Sequence, residues 1–262
     1  MISLLIIIFF AFGLVIGSFL NVVILRFNTQ KSFGGRSGCM TCLHKLSWYE
    51  LVPVFSFIGL GGRCRNCKTK ISVQYPIVEL LTGFIFAGIF LKFQDLFFIN
   101  IFVFSLTYAY YAVVSAILLI IATYDIKHKI IPDSLSLALA ILGFVGLFFS
   151  GANGSLNFYP HLPVTLDFLS GILIATPFAL FWLVSSGRWM GLGDAKLAIG
   201  LGWVFGWYRA LSGVVLAFWI GATVGVILVL FSKKYRMKSE IPFAPYLVLG
   251  VLLAFLLELH IF

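Results

Sequence analysis

The chain has 262 residues, of which 61% are hydrophobic and 10% charged, with a mean hydropathy of +1.10. Globular domains run at about 45–50% apolar and about 25% charged, so an ordinary soluble domain is excluded, and the apolar residues come in runs long enough for a bilayer. A net charge of +9 would suit nucleic acid in a soluble chain, but in a membrane protein basic residues first report orientation, and no nucleic-acid partner is expected.

A helix needs about 20 apolar residues to cross a bilayer. Judged so, eight spans are predicted: 2–25, 74–91, 97–122, 134–150, 164–185, 195–208, 211–231 and 243–262. The first has no basic residue before its apolar run and no small-residue cleavage site after it, so it is expected to be a retained span rather than a signal peptide. The sixth is short and glycine-rich (Ala198-Ile-Gly-Leu-Gly-Trp-Val-Phe-Gly-Trp207). The expected fold is an all-α polytopic membrane protein of about eight transmembrane helices.

Charge orients the spans. With the N-terminus outside, the inside loops hold the eight Lys and Arg of segment 26–70, then Lys127 and Lys129, Arg188 and Lys196, and Lys233, Lys234, Arg236 and Lys238. The outside keeps Lys92 and Arg209. This satisfies the rule that positive residues stay cytoplasmic, and it does so only if the sixth segment crosses. One loop, 28–73, is long enough to be a small cytoplasmic domain between the first two spans.

That loop carries all four cysteines, as Cys39-Met-Thr-Cys42 and Cys64-Arg-Asn-Cys67. Two such pairs have the spacing of a tetrahedral Zn²⁺ site of four thiolates. Disulfides are not expected in a reducing cytosol. Four protein ligands leave no position for a substrate water, so the predicted zinc is structural, and it lets a short segment fold without a large core. Around it, Arg36, Arg63, Arg65, Lys68 and Lys70 can counter thiolate charge or meet anionic head groups.

Nine acidic residues occur in the whole chain, and an ionisable group near hydrocarbon is costly enough to be a functional candidate. Asp125 ends the third span, and Asp194 enters the sixth in Gly191-Leu-Gly-Asp194-Ala-Lys196. Both are expected at the cytoplasmic boundary, where two carboxylates sharing a proton can serve as general base and general acid. Asp133, after Pro132 and before an apolar run, reads instead as a helix N-cap. Glu79, a turn inside the second span, is open to pairing with Arg26 or Asn21, or to substrate or cofactor. Glu50 is expected to be solvated. Asp95, Asp167, Glu240 and Glu258 read as interfacial.

Several motifs resemble those of the bifunctional prepilin peptidases of type IV pilus, type II secretion and competence systems. They are Gly17-Ser-Phe-Leu-Asn21-Val-Val-Ile-Leu-Arg26, the two cysteine pairs, Trp48-Tyr-Glu50-Leu-Val-Pro53-Val, Tyr75-Pro-Ile-Val-Glu79-Leu-Leu-Thr-Gly83, Asp125 with Ile131-Pro-Asp133, Gly191-x-Gly-Asp194-x-Lys196 and Ile241-Pro-Phe-Ala-Pro245. Gly62-Arg-Cys-Arg65 resembles part of the same cytoplasmic domain. The resemblance runs nearly end to end. One departure is that the family's usual Cys-Pro-x-Cys is Cys39-Met-Thr-Cys42 here; the thiolates remain.

The resemblance implies three parts: a first transmembrane helix over 1–27, a cytoplasmic zinc-binding, methyltransferase-associated domain over 28–73, and a seven-helix aspartic peptidase core over 74–262. It implies an inner-membrane enzyme that cuts prepilins or pseudopilins after a glycine ending a short basic leader, with Asp125 and Asp194 as the catalytic pair. It further implies methylation of the new N-terminal residue with S-adenosylmethionine. Asn21, Glu50 and Glu79 are the candidate contacts for that cofactor. Oligomeric state is not legible. The Gly-x-Gly-Asp motif is also shared with presenilin-like proteases, so a peptidase lacking the methyltransferase is the nearest alternative. A transporter would leave the four thiolates unexplained, and a non-catalytic zinc scaffold would leave the costly aspartates unexplained.

Overall fold

The computed structural model describes residues 2–29, 34–151, 154–188, 190–231 and 241–259. Within these the chain is helical, its only strand-like pairing being three isolated bridges, Gly38 with Lys45, Arg63 with Lys70 and Ser150 with Leu156. Five helices are long and apolar enough to cross a membrane: α1 (Ile2–Arg26), α3 (Gln74–Lys92), α5 (Ile101–His128), α7 (Thr165–Ser185) and α8 (Leu192–Phe231). Between them lie α2 (Phe55–Gly59), α4 (Gln94–Ile99) and α6 (Asp133–Leu147), and α9 (Ala244–Leu256) follows. The chain forms two compact units, Met1–Gln94 and Asp95–Phe262.

The first unit is built on a pair of helices, α1 and α3, with the cysteine loop between them. The pairing is antiparallel and depends on small residues. A Cβ at Gly13 would lie 2.7 Å from Gly83 Cα, and one at Gly17 would lie 2.7 Å from Glu79 Cα. Glycines spaced four apart let membrane helices approach backbone to backbone, where van der Waals packing takes the place of a hydrophobic drive. One turn further on, Asn21 Nδ2 donates to Tyr75 O at 3.1 Å. The outer face of α1 carries exposed Leu4, Ile7, Ile8, Phe12, Val15 and Phe19, as a lipid-facing helix should. Thus α3, assigned from sequence to the peptidase core, packs on α1.

In the second unit α8 lies against α6, α7 and α9, while α5 lies against α6 and α9. Of the eight expected spans, the described residues support the helical segments but not the count. The predicted fourth and eighth spans become helices of 15 and 13 residues, shorter than a full crossing. The predicted sixth and seventh spans form one run, Leu192–Phe231, broken at Gly206 (φ 74°, ψ 171°) rather than around Arg209. A positive φ there is open to glycine and strained for other residues. The break strands backbone groups, and α7 takes them up: Ser170 Oγ donates to Gly202 O at 2.8 Å, and Asp167 Oδ1 accepts from Trp207 N at 3.2 Å. Asp167, read from sequence as merely interfacial, therefore mends the kink. The basic cluster Lys233, Lys234, Arg236 and Lys238, and Glu240, lie outside the described residues.

Candidate active site and metal centre

The connectivity of the second unit collects five helix ends at one end of the bundle: the C-termini of α5 and α7 and the N-termini of α6, α8 and α9. Asp125 sits in the last turn of α5, three residues before its end, and is 5% exposed. The helix stops at Lys129, which turns left-handed (φ 53°) and donates its N–H to Asp125 O at 2.8 Å. Asp194 is in the first turn of α8 and is 8% exposed. The two carboxylates are near enough for their charges to act on each other. The structure thus brings together two residues 69 positions apart.

Three neighbours shape this pair. The N–H of Ala244, the first residue of α9, lies near the Asp125 carboxylate; a helix N-terminus supplies both an unused donor and a favourable dipole for an anion. The strip leading into α6 lies along the strip leading into α8, so that a Cβ on Gly193 would come within 3.0 Å of Ile131 Cβ. Gly191 differs: among the described residues a Cβ there would meet nothing nearer than 3.9 Å, with Asp194 Oδ2 at 4.0 Å. Among the described residues, the space beside Asp194 is open on that side.

Asp133 is the first residue of α6, not its cap, which is Pro132, and it makes no capping hydrogen bond. Its Oδ1 instead accepts from Lys196 Nζ at 2.7 Å. Lys196 is the cation within reach of this exposed carboxylate.

In the first unit the four cysteine sulfurs all lie within 4.8 Å of one another. Cys39 Sγ and Cys67 Sγ are 3.7 Å apart, and Cys42 Sγ and Cys64 Sγ 4.0 Å. Each pair sits on a tight turn, closed by Leu43 N to Cys39 O and by Lys68 N to Cys64 O, both 3.0 Å. Leu43 and Lys68 are left-handed (φ 55° and 58°), so the two knuckles repeat one backbone shape. Hydrogen bonds from the hydroxyl and amide of Thr69 bring the Cys67 thiol down to about 6, and backbone N–H donors of Cys42 and Thr41 lower that of Cys39. Both shifts favour the thiolate, which is the metal-binding form. The set fits a metal ion.

The remaining three sequence candidates separate. Glu50 is 8% exposed, and Oε2 accepts from Ser47 N at 2.8 Å. It is therefore not solvated as expected but is the returning half of a capping box on a short 3₁₀ turn, Trp48–Leu51. Glu79 pairs with neither Arg26 nor Asn21. Its Oε2 accepts from Val54 N at 2.7 Å and its carboxylate also meets the Ser18 hydroxyl. Asn21 is 1% exposed and its Oδ1 is buried without a partner. The backbone N–H of Ala244 and the Ile131–Gly193 contact were not anticipated from sequence, since neither advertises itself by residue type.

Comparison with known proteins agrees with this layout. Residues 11–93 match the bacterial peptidase A24 N-terminal domain, and residues 112–226 match the type IV leader peptidase family. A Myxococcus xanthus prepilin leader peptidase/N-methyltransferase is 34% identical over 88% of this chain, which spans 65% of that relative's length. Proteins of the same name from Xanthomonas campestris and Aeromonas salmonicida are 32% and 30% identical, with 91% and 94% of this chain aligned to 86% and 89% of theirs. No solved structure matches the chain. With aspartates, glycines and cysteines each inside a matched segment, the chain belongs to the type IV leader peptidase family.

Proposed function

We propose that this protein removes the basic leader of a type IV prepilin or pseudopilin after a glycine and then N-methylates the new terminal residue. We place it in the bacterial cytoplasmic membrane, N-terminus outside and the cysteine loop in the cytoplasm, as the distribution of Lys and Arg requires. The observation that carries the reading is that Asp125 and Asp194, both buried, lie at the same end of the second unit within range of each other's charge.

Two carboxyls brought together can share one proton, and in that state one serves as base and the other as acid. We assign Asp125, beside the Ala244 N–H, as the carboxylate that takes a proton from the attacking water. Asp194 donates to the scissile carbonyl oxygen. The gem-diol then collapses: Asp125 passes its proton to the peptide nitrogen, a gem-diol hydroxyl returns a proton to Asp194, the carbonyl re-forms and the C–N bond breaks. The open side at Gly191 is where an extended substrate can approach the pair.

For the metal we propose Zn²⁺. Bonds of about 2.3 Å in tetrahedral geometry set sulfurs about 3.8 Å apart, as the closest pairs here are. Cys39, Cys42, Cys64 and Cys67 hold it, and its role is to fold loop 28–73 in support of methyl transfer. The peptidase core we assign to 74–262. S-adenosylmethionine supplies the methyl group when bound. Asn21, with Oδ1 unspent, and Glu79 stay candidates for contacting it, whereas the carboxylate of Glu50 is already committed to its own turn.

The test is to incubate the purified full chain with a prepilin and S-adenosylmethionine and weigh the product. Loss of the leader plus one methyl group is expected. A product shortened but unmethylated would leave a peptidase alone, and an uncut precursor would remove the reading.

A further inference from the structure

We infer that Asp133 receives a cationic side chain of the substrate just upstream of the scissile bond, an assignment that rests on the leader-peptidase reading above. Asp133 is 73% exposed even with Lys196 Nζ 2.7 Å from its Oδ1. At the end of the bundle that holds the aspartate pair, the other described carboxylates are Asp125 and Asp194, both buried. Asp95, Asp167 and Glu258 belong to the opposite helix ends, before α5, at the start of α7 and after α9. Among the described residues Asp133 is therefore the one exposed carboxylate near the site.

Its surroundings make that carboxylate matter. Lys127, His128, Lys129, Arg188 and Lys196 lie at the same end, so a cationic leader arriving there meets a largely positive surface. Among the described residues one exposed carboxylate is available to it. Lys196 already displays the contact, an alkylammonium on Oδ1, and stands in for the substrate lysine or arginine. Exposed ion pairs are weak, so a substrate cation can displace Lys196.

The position is also informative. Lys196 follows Asp194 by two residues on α8, which puts Asp133 on the order of 10 Å from the pair, about three residues of extended substrate. The cation read is thus expected within the last few residues of the leader. A purely structural strut between α6 and α8 would show the same ion pair, and the experiment separates the two.

Cleavage by the full chain in proteoliposomes is measured on three precursors differing only at the leader cation nearest the cut: Lys, Gln or Glu. Asp133→Asn should lower kcat/KM for the Lys leader about tenfold, mainly through KM, and leave the Gln leader unchanged. Asp133→Lys should prefer the Glu leader over the Lys leader, and Lys196→Gln should cut the Lys leader at least as well as wild type. Equal losses on all three precursors, a fall in kcat alone, no effect, or Lys196→Gln damaging cleavage as Asp133→Asn does would each overturn the assignment in favour of the strut. If the wild-type protein cuts none of the precursors, the leader-peptidase reading itself falls and takes this one with it.

Discussion

Trp207 N donates to Asp167 Oδ1 at 3.2 Å, across the break that Gly206 makes in α8. In hydrocarbon an unpaired backbone group costs several kcal/mol, so a helix can break there only where a neighbour supplies the missing partner. The same helix supplies the second one, through Ser170 and Gly202 O. Asp167→Ala should destabilise the protein by about 1–3 kcal/mol, read as a lower unfolding midpoint in detergent, while Asp167→Asn, which keeps an acceptor oxygen, should recover most of it. An unchanged midpoint for the alanine variant would show that water or lipid serves the Trp207 amide equally well.

Asp125→Asn and Asp194→Asn should each lower leader removal by about 10²–10⁴-fold, with the protein still folded and still able to methylate a precursor supplied already cut. Mass spectrometry of the two substrates reads both halves. Normal cleavage by either variant would remove that residue from the pair.

The two glycines of the Gly-x-Gly-Asp motif should behave differently. Gly193→Ala pushes a methyl to 3.0 Å from Ile131 Cβ, and overpacking of this kind costs about 1–3 kcal/mol; Ile131→Ala should restore part of the loss by removing the outer carbons. Gly191→Ala meets nothing nearer than 3.9 Å among the described residues and should melt like wild type. If it also cuts like wild type, substrate does not use the space beside Asp194; a selective rise in KM would show that it does.

Cys64→Ser removes the most buried of the four sulfurs. Elemental analysis should find about one zinc per wild-type chain and far less in the variant, since three thiolates bind such an ion much more weakly than four. Methylation should fall first, with cleavage largely kept. Intact methylation in a metal-free variant would separate the cysteine cluster from methyl transfer.

Much of this was legible in the sequence because membranes restrict the alternatives. Long apolar runs have to be helices, since only helices and closed barrels satisfy the backbone in lipid, and scarce acidic groups stand out at once. The paired cysteine spacing likewise announced a cluster, and the structure draws the four sulfurs together. Where the sequence reading slipped, the cause was a contact it could not contain. Asp133 looked like a cap until Lys196, 63 residues on, claimed it. Glu50 looked solvated until its own turn buried it. The break in α8 was placed near Arg209 by hydropathy, but it falls where glycine permits the conformation and α7 can repair it.

By itself, then, the order of residues determined the helical class, the segments apolar enough to span, and the short roster of groups able to do chemistry. These follow from composition and local spacing, which act within a few turns of chain. Only the tertiary structure decided that Asp125 and Asp194 come within range of each other's charge, that the Ala244 amide lies near Asp125, and that Asp133 is held by Lys196. Those relations depend on which helix ends converge, a property of packing between segments far apart in the chain, where local periodicity carries no information.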